Sequence, residues 1–170
     1  DVHGSRGLGD VYKRQIKVPG GGGNFTCLKD GSKCYVGLRK ANAVGVIDMA
    51  KLELMKTIET GPDANRLYLN PGNSRFGLFA NEAGKSDIVS IIDTQSDVKV
   101  KDIWTGLGPH NVAFDPDGKF AVISTKKENV ATLVDTGSAD PNDWDVITTD
   151  LDSGIQNNGV RWVPSPAALK

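Results

Sequence analysis

From Ile16 onward, apolar residues fall in short clusters divided by polar and glycine-bearing stretches. Cys34-Tyr35-Val36-Gly37, Ala43 to Ile47, Phe76 to Phe79, Ile88 to Ile92, Phe120 to Ser124 and Val130 to Val134 are such clusters. They are too short for amphipathic helices and rich in β-branched and aromatic residues, so they predict strands. Asn24 to Cys27, Leu67 to Leu69 and Val112 to Phe114 predict a shorter strand before each pair. Leu52 to Ile58, Val98 to Ile103 and Trp144 to Thr149 predict a more polar strand after it. Lys29-Asp30-Gly31-Ser32, Pro71-Gly72-Asn73 and Asp115-Pro116-Asp117-Gly118-Lys119 supply the turns: Pro presets φ, Asp caps and Gly takes positive φ.

The pattern repeats. Val46-Ile47-Asp48, Ile91-Ile92-Asp93 and Leu133-Val134-Asp135 stand at spacings of 45 and 42 residues. A period of this size built of short strands marks β-propeller blades. The expected fold is all-β: a partial β-propeller of about three four-stranded antiparallel blades, roughly 24–60, 65–105 and 110–150. Partial blades are expected at both ends, Ile16-Lys17-Val18 before and 158–170 after, the latter opening at Val160-Arg161-Trp162-Val163-Pro164. Closed propellers have about 4–8 blades, so residues 16–170 read as a propeller fragment. Asp48, Asp93 and Asp135 are expected to lock turns, and Trp104, Trp144 and Trp162 to fill the layers between blades.

Residues 1–15 do not share this pattern. Ser5 to Gln15, SRGLGDVYKRQ, reads as the in-frame translation of a transposase sequencing adapter, and such segments are set aside from fold reasoning. Setting it aside removes three of 20 basic and two of 21 acidic residues, leaving 17 against 19. It also removes His3, so His110 is the one histidine of the remaining chain. The near-neutral balance gives no global pull toward nucleic acid or anionic membranes. No apolar run approaches the about 18–20 residues of a membrane span.

Candidate chemistry gathers where each outer strand leads into the next inner strand. Those positions hold Asn24, Asn65-Arg66, His110-Asn111 and Asn158, a ring of amides with one imidazole and one guanidinium. Such a ring suits a polar or anionic ligand; the plainer reading is amides capping their own turns. His110 is the sharpest member, since imidazole ligates metals and carries protons. The second-to-third strand loops carry Arg39-Lys40, Lys85 and Lys126-Lys127, diluted by Glu82, Asp87 and Glu128. Solvated lysines are the plainer reading, and without exposed aromatics for base stacking nucleic acid is not an expected partner. Gly20 to Gly23 precedes no helix and is not expected to cradle phosphate.

Cys27 and Cys34 flank Asp30-Gly31. A two-residue type I′ loop pairs them directly, within reach of a disulfide. A G1 bulge at Gly31 sends them to opposite faces. Both arrangements stay open from the sequence. A disulfide would indicate an oxidising compartment.

The run Tyr35-Val36-Gly37…Val46-Ile47-Asp48, and above all Gly108-Pro109-His110-Asn111-Val112-Ala113-Phe114-Asp115-Pro116-Asp117-Gly118-Lys119, resembles the YVTN-type β-propeller repeat family. The likeness extends over Ile16 to Pro166; the middle blade departs from it with Gly72-Asn73 where Asp-Gly is usual. It implies a periplasmic or extracellular protein that binds a small polar ligand or a protein partner. The repeat is also similar to that of haem d1 and lactonase-like propellers, which implies the alternative of an enzyme with His110 at the channel mouth. The resemblance names no cofactor, and no catalytic residue is assigned.

Overall fold

The computed structural model describes residues 15–152. Asn158, Trp162, the partial blade at 158–170 and all but the last residue of the adapter-like segment lie outside the described residues. Three four-stranded antiparallel sheets follow one another along the chain. The first contains β1 (Phe25–Cys27), β2 (Lys33–Leu38), β3 (Ala43–Asp48) and β4 (Glu53–Glu59). The second contains β5 (Ala64–Leu69), β6 (Phe76–Asn81), β7 (Ile88–Asp93) and β8 (Val98–Trp104). The third contains β9 (Pro109–Phe114), β10 (Phe120–Thr125), β11 (Val130–Asp135) and β12 (Asp145–Asp152). Each sheet is a simple meander, and together they are consecutive blades of a partial β-propeller. Among the described residues no helix is long and apolar enough to cross a membrane.

Blades stack face to face, which explains the composition of the middle strands. Phe76 and Leu78 of β6 face the third blade and pack with Val89, Ile91, Ile103, Val112, Ile123 and Trp144. Phe79, one residue on, faces the first blade and packs with Tyr35, Val44, Val46, Ile58 and Leu67. Strands covered on both faces lose polar alternation, so β6 is buried at every position. Burying a side chain such as Leu78 or Phe79 contributes about 1.5–3 kcal/mol. The outer strand β8 keeps a solvent side, and Val98 and Lys99 are exposed there.

The turns settle the cysteine register. The loop 29–32 closes with Leu28 N–H donating to Lys33 O (2.9 Å), Gly31 N–H to Leu28 O (3.0 Å), and Gly31 at φ 70°. The loop 116–119 has the same plan, with Asp115 to Phe120 O (3.0 Å), Gly118 to Asp115 O (3.1 Å) and Gly118 at φ 70°. Neither two-residue loop nor bulge is used, yet a four-residue loop yields the direct pairing. Cys27 stands opposite Cys34, and the two form a disulfide.

Two expectations need correction. Ile16 to Val18 forms no strand, because no described strand lies beside it to complete a ladder; Val18 packs on Val36, Leu38 and Ala43 instead. Trp104 is 68% exposed, whereas Trp144 is 1% exposed and meets the Phe76 ring edge-on at 6.0 Å. Ile103 takes the buried side of β8 and turns its neighbour outward. Matching ladder positions at the ends of β4 and β12 carry Glu59 and Asp152, so Trp104 occupies a rim position.

Candidate functional site

The candidate residues sit where the chain enters each inner strand. Asp63 (φ 57°) and Gly108 (φ 70°) reverse the chain in the left-handed region just before β5 and β9. A register shift then frees Asn65 from the β5–β6 ladder, and another frees His110 and Asn111 from the β9–β10 ladder. Bulges of this kind re-aim side chains at the rim of a sheet. β5 packs against β1 and β2, and β9 against β5 and β6, so the entries of successive blades come together.

The amides do not cap their own turns. Asn24 Nδ2 donates to Asn65 Oδ1 at 2.7 Å, across the first blade boundary. Tyr68 Oη donates to Asn111 Oδ1 at 2.6 Å, across the second. Asn111 Nδ2 lies 3.0 Å from His110 Nδ1. An amide nitrogen only donates, so Nδ1 is the acceptor and the imidazole proton sits on Nε2. That proton points to Oε1 of Glu82, 3.0 Å away. Tyr68, Asn111, His110 and Glu82 thus form a one-directional relay ending on a carboxylate, in which each bond polarises the next. Burial raises the Tyr68 phenol above its usual range; Arg66 opposes that shift and Glu82 adds to it. Arg66 is exposed, lies 5.3 Å above the Tyr68 ring, and forms no ion pair with another described residue.

Glu82 gathers charges from three blades. It directly follows β6, as Arg39 directly follows β2 and Lys126 directly follows β10. Its side chain is 4% exposed and meets Arg39 Nη1 at 3.2 Å, Lys126 Nζ and His110 Nε2. Arg39 also grips Asp63 through Nε (2.6 Å) and Nη2 (2.8 Å). Asp63 first, then Glu82, hold the guanidinium more firmly in its charged form. The formal charges of Arg39, Lys126, Asp63 and Glu82 balance within the cluster.

The strand-end aspartates behave as turn locks. Asp48 Oδ1 accepts from the amides of Ala50 (2.9 Å) and Lys51 (3.0 Å), and Asp135 Oδ1 from Gly137 (2.9 Å). Asp93 accepts from Gln95 N (2.9 Å), Ser96 Oγ (2.8 Å) and both forks of Arg75 (3.0 and 2.7 Å). Burial alone would raise the Asp93 carboxyl, but these donors outweigh it and hold it at about 2. Among the described residues no group of three or more His, Cys, Asp or Glu is placed to hold a metal ion.

Sequence reasoning picked out Asn24, Asn65, Arg66, His110 and Asn111, and the structure brings them into one row of blade entries. It missed Tyr68 and the organising role of Glu82. Aligning the residue that follows each second strand would have exposed the sequence Arg, Glu, Lys.

No protein-family model and no curated protein matches the chain. Solved structures do. The chain is similar to Kuenenia stuttgartiensis hydrazine synthase, at 25% identity and TM-score 0.59, over 71% of this chain and 36% of that one. It is similar to a 6-phosphogluconolactonase-like protein of Bacteroides fragilis, at 19% identity and TM-score 0.65, over 80% and 41%. A Desulfotomaculum acetoxidans protein of unknown function matches at 18% identity and TM-score 0.64, over 86% and 46%. The chain therefore spans between a third and a half of the propeller-type chains it matches.

Proposed function

We propose that this chain belongs to a YVTN-type β-propeller that works outside the cytoplasm as a ligand-binding module. Its ligand is a small polar molecule held at the row of blade entries: Asn24, Asn65, Arg66, His110 and Asn111. The observation that carries this reading is the relay from Tyr68 through Asn111 and His110 to Glu82. It fixes the amide and imidazole in defined orientations beside an exposed guanidinium, which lowers the ordering cost of binding. The Cys27–Cys34 disulfide supports the oxidising compartment.

The enzymatic alternative, a lactonase-like hydrolase or a haem d1-like oxidoreductase, has less support. It needs His110 as a base or an iron ligand, and both ring nitrogens already have partners in Asn111 and Glu82.

The test is a thermal-shift screen of the full chain against small carboxylates, phosphates and sugars. A ligand at about a hundred times its Kd adds about 2.7 kcal/mol, several degrees of Tm for a chain of this size. The shift is expected to vanish in Arg66→Ala and His110→Ala. A shift that survives both substitutions, or a panel without any shift, would refute the site.

A further inference from the structure

The inner strand of the first blade is built differently from its two counterparts. β1 has three residues, whereas β5 and β9 have six. None of the three is buried, and Phe25 is 66% exposed, so no apolar side chain anchors the strand in a core. β1 is also an edge strand, paired only with β2. Asn65 and Asn111 lie inside β5 and β9, but Asn24 lies just ahead of β1. Its place in the row therefore depends on what holds β1.

The ladders show what does. Cys34, Gly77 and Ala121 occupy matching places, opposite Ile47, Ile92 and Val134 of the repeated tripeptides. Their inner-strand partners are Cys27, Leu69 and Phe114. The second and third blades set a large side chain against a small one there, and the first sets a covalent bond. Across the blade boundary, Thr26 Oγ1 donates to Leu67 O and Asn24 Nδ2 to Asn65 Oδ1, both at 2.7 Å. Hydrogen bonds of this kind exchange readily for bonds to water once the strand loosens.

Cys27 is exposed, and exposed disulfides are the labile ones. We propose that Cys27–Cys34 is a thiol switch on the blade-entry row, opened by a dithiol reductant. A reductant thiolate attacks the Cys27 sulfur, the S–S bond breaks, and its electron pair leaves on Cys34, which takes up a proton. The second reductant thiol then displaces Cys27 from the mixed disulfide. The reductant ends as a disulfide and the two cysteines as thiols, with two electrons and two protons passed to the protein. β1 then frays and Asn24 leaves Asn65. The switch rests on the blade-entry row being the binding site. It acts at the first blade boundary and leaves the Tyr68–Asn111 contact at the second in place.

Amide exchange of the full chain, oxidised and after dithiothreitol, is the test. The Gly37 amide donates to Asn24 O at 3.0 Å and reports its release. It is expected to exchange about tenfold faster or more after reduction. Amides of β9 and β10 should stay unchanged, and reoxidation should restore the first rate. Cys27→Ser/Cys34→Ser should match the reduced chain and ignore dithiothreitol. Should that variant fail to fold by circular dichroism, the reduced parent carries the test. Calorimetry with citrate as the probe is the second arm. The oxidised chain is expected to bind it about twofold to tenfold more tightly, the worth of one hydrogen bond. An unchanged Gly37 rate, equal acceleration in all three blades, or citrate bound equally in both states overturns the switch. If citrate binds neither state, the failure is the binding site's, and a faster Gly37 amide still supports the switch.

Discussion

His110 Nε2 lies 3.0 Å from Glu82 Oε1, and the two residues belong to different blades. The same carboxylate meets Arg39 of the first blade and Lys126 of the third. Replacing Glu82 by Gln keeps the shape but leaves Lys126 without its counter-ion and Arg39 with Asp63 alone. Breaking a buried pair costs about 3–5 kcal/mol, and partial exposure of Arg39 and Lys126 reduces this to roughly 2–3 kcal/mol. Urea unfolding of Glu82→Gln against the parent measures it; a difference under about 0.5 kcal/mol would show that the carboxylate does not hold the blades together.

Asp93 makes stability depend on acid. Its folded pKa of about 2 lies below the ordinary aspartate value of 3.8. A depressed carboxyl contributes stability above the unfolded value and loses it as pH falls through the folded one, so the loss lies between about pH 4 and 2. Screening at half-exposed Arg75 limits it to about 1–2 kcal/mol. Asp93→Asn should be less stable than the parent at pH 6 and approach it at pH 2. Parallel curves for the two proteins over that range would contradict this account.

The Cys27–Cys34 disulfide ties a three-residue edge strand to β2 across a sequence separation of 7. Closing so short a loop is worth about 2 kcal/mol. Cys27 is exposed, so a mild reductant should reach the bond. Reduction is expected to lower the urea midpoint and speed amide exchange in β1 before other strands. Uniform exchange behaviour in both redox states would mean that β1 does not depend on the bond.

The two described tryptophans should respond in opposite ways. Trp144→Ala opens a cavity between the second and third blades, at a cost of about 3–5 kcal/mol. Trp104→Ser should change stability by less than about 0.5 kcal/mol. Thermal denaturation of the pair decides, and equal losses would place Trp104 in a layer after all.

Much of the fold was legible because blade grammar is local. Val46-Ile47-Asp48, Ile91-Ile92-Asp93 and Leu133-Val134-Asp135 end β3, β7 and β11, and each aspartate meets its own turn. What escaped is set between blades. Glu82 reads as a charge that dilutes lysines until Arg39 and Lys126, 43 and 44 residues away, are packed against it. The cysteine pairing turned on how many residues the loop spends around Gly31, which Asp-Gly alone does not decide. Trp104 was misplaced because one step along β8 reverses the face, and Ile103 held the buried one.

The signs of the charges at Arg39, Glu82 and Lys126 also act as an address. Neighbouring blades carry opposite charges at one shared position, so the middle blade is not interchangeable with either neighbour despite their common plan. Excising the middle blade would set Arg39 against Lys126, like against like. A blade copied in beside one of its own sign would meet the same repulsion, so this position limits which blades can stand next to each other.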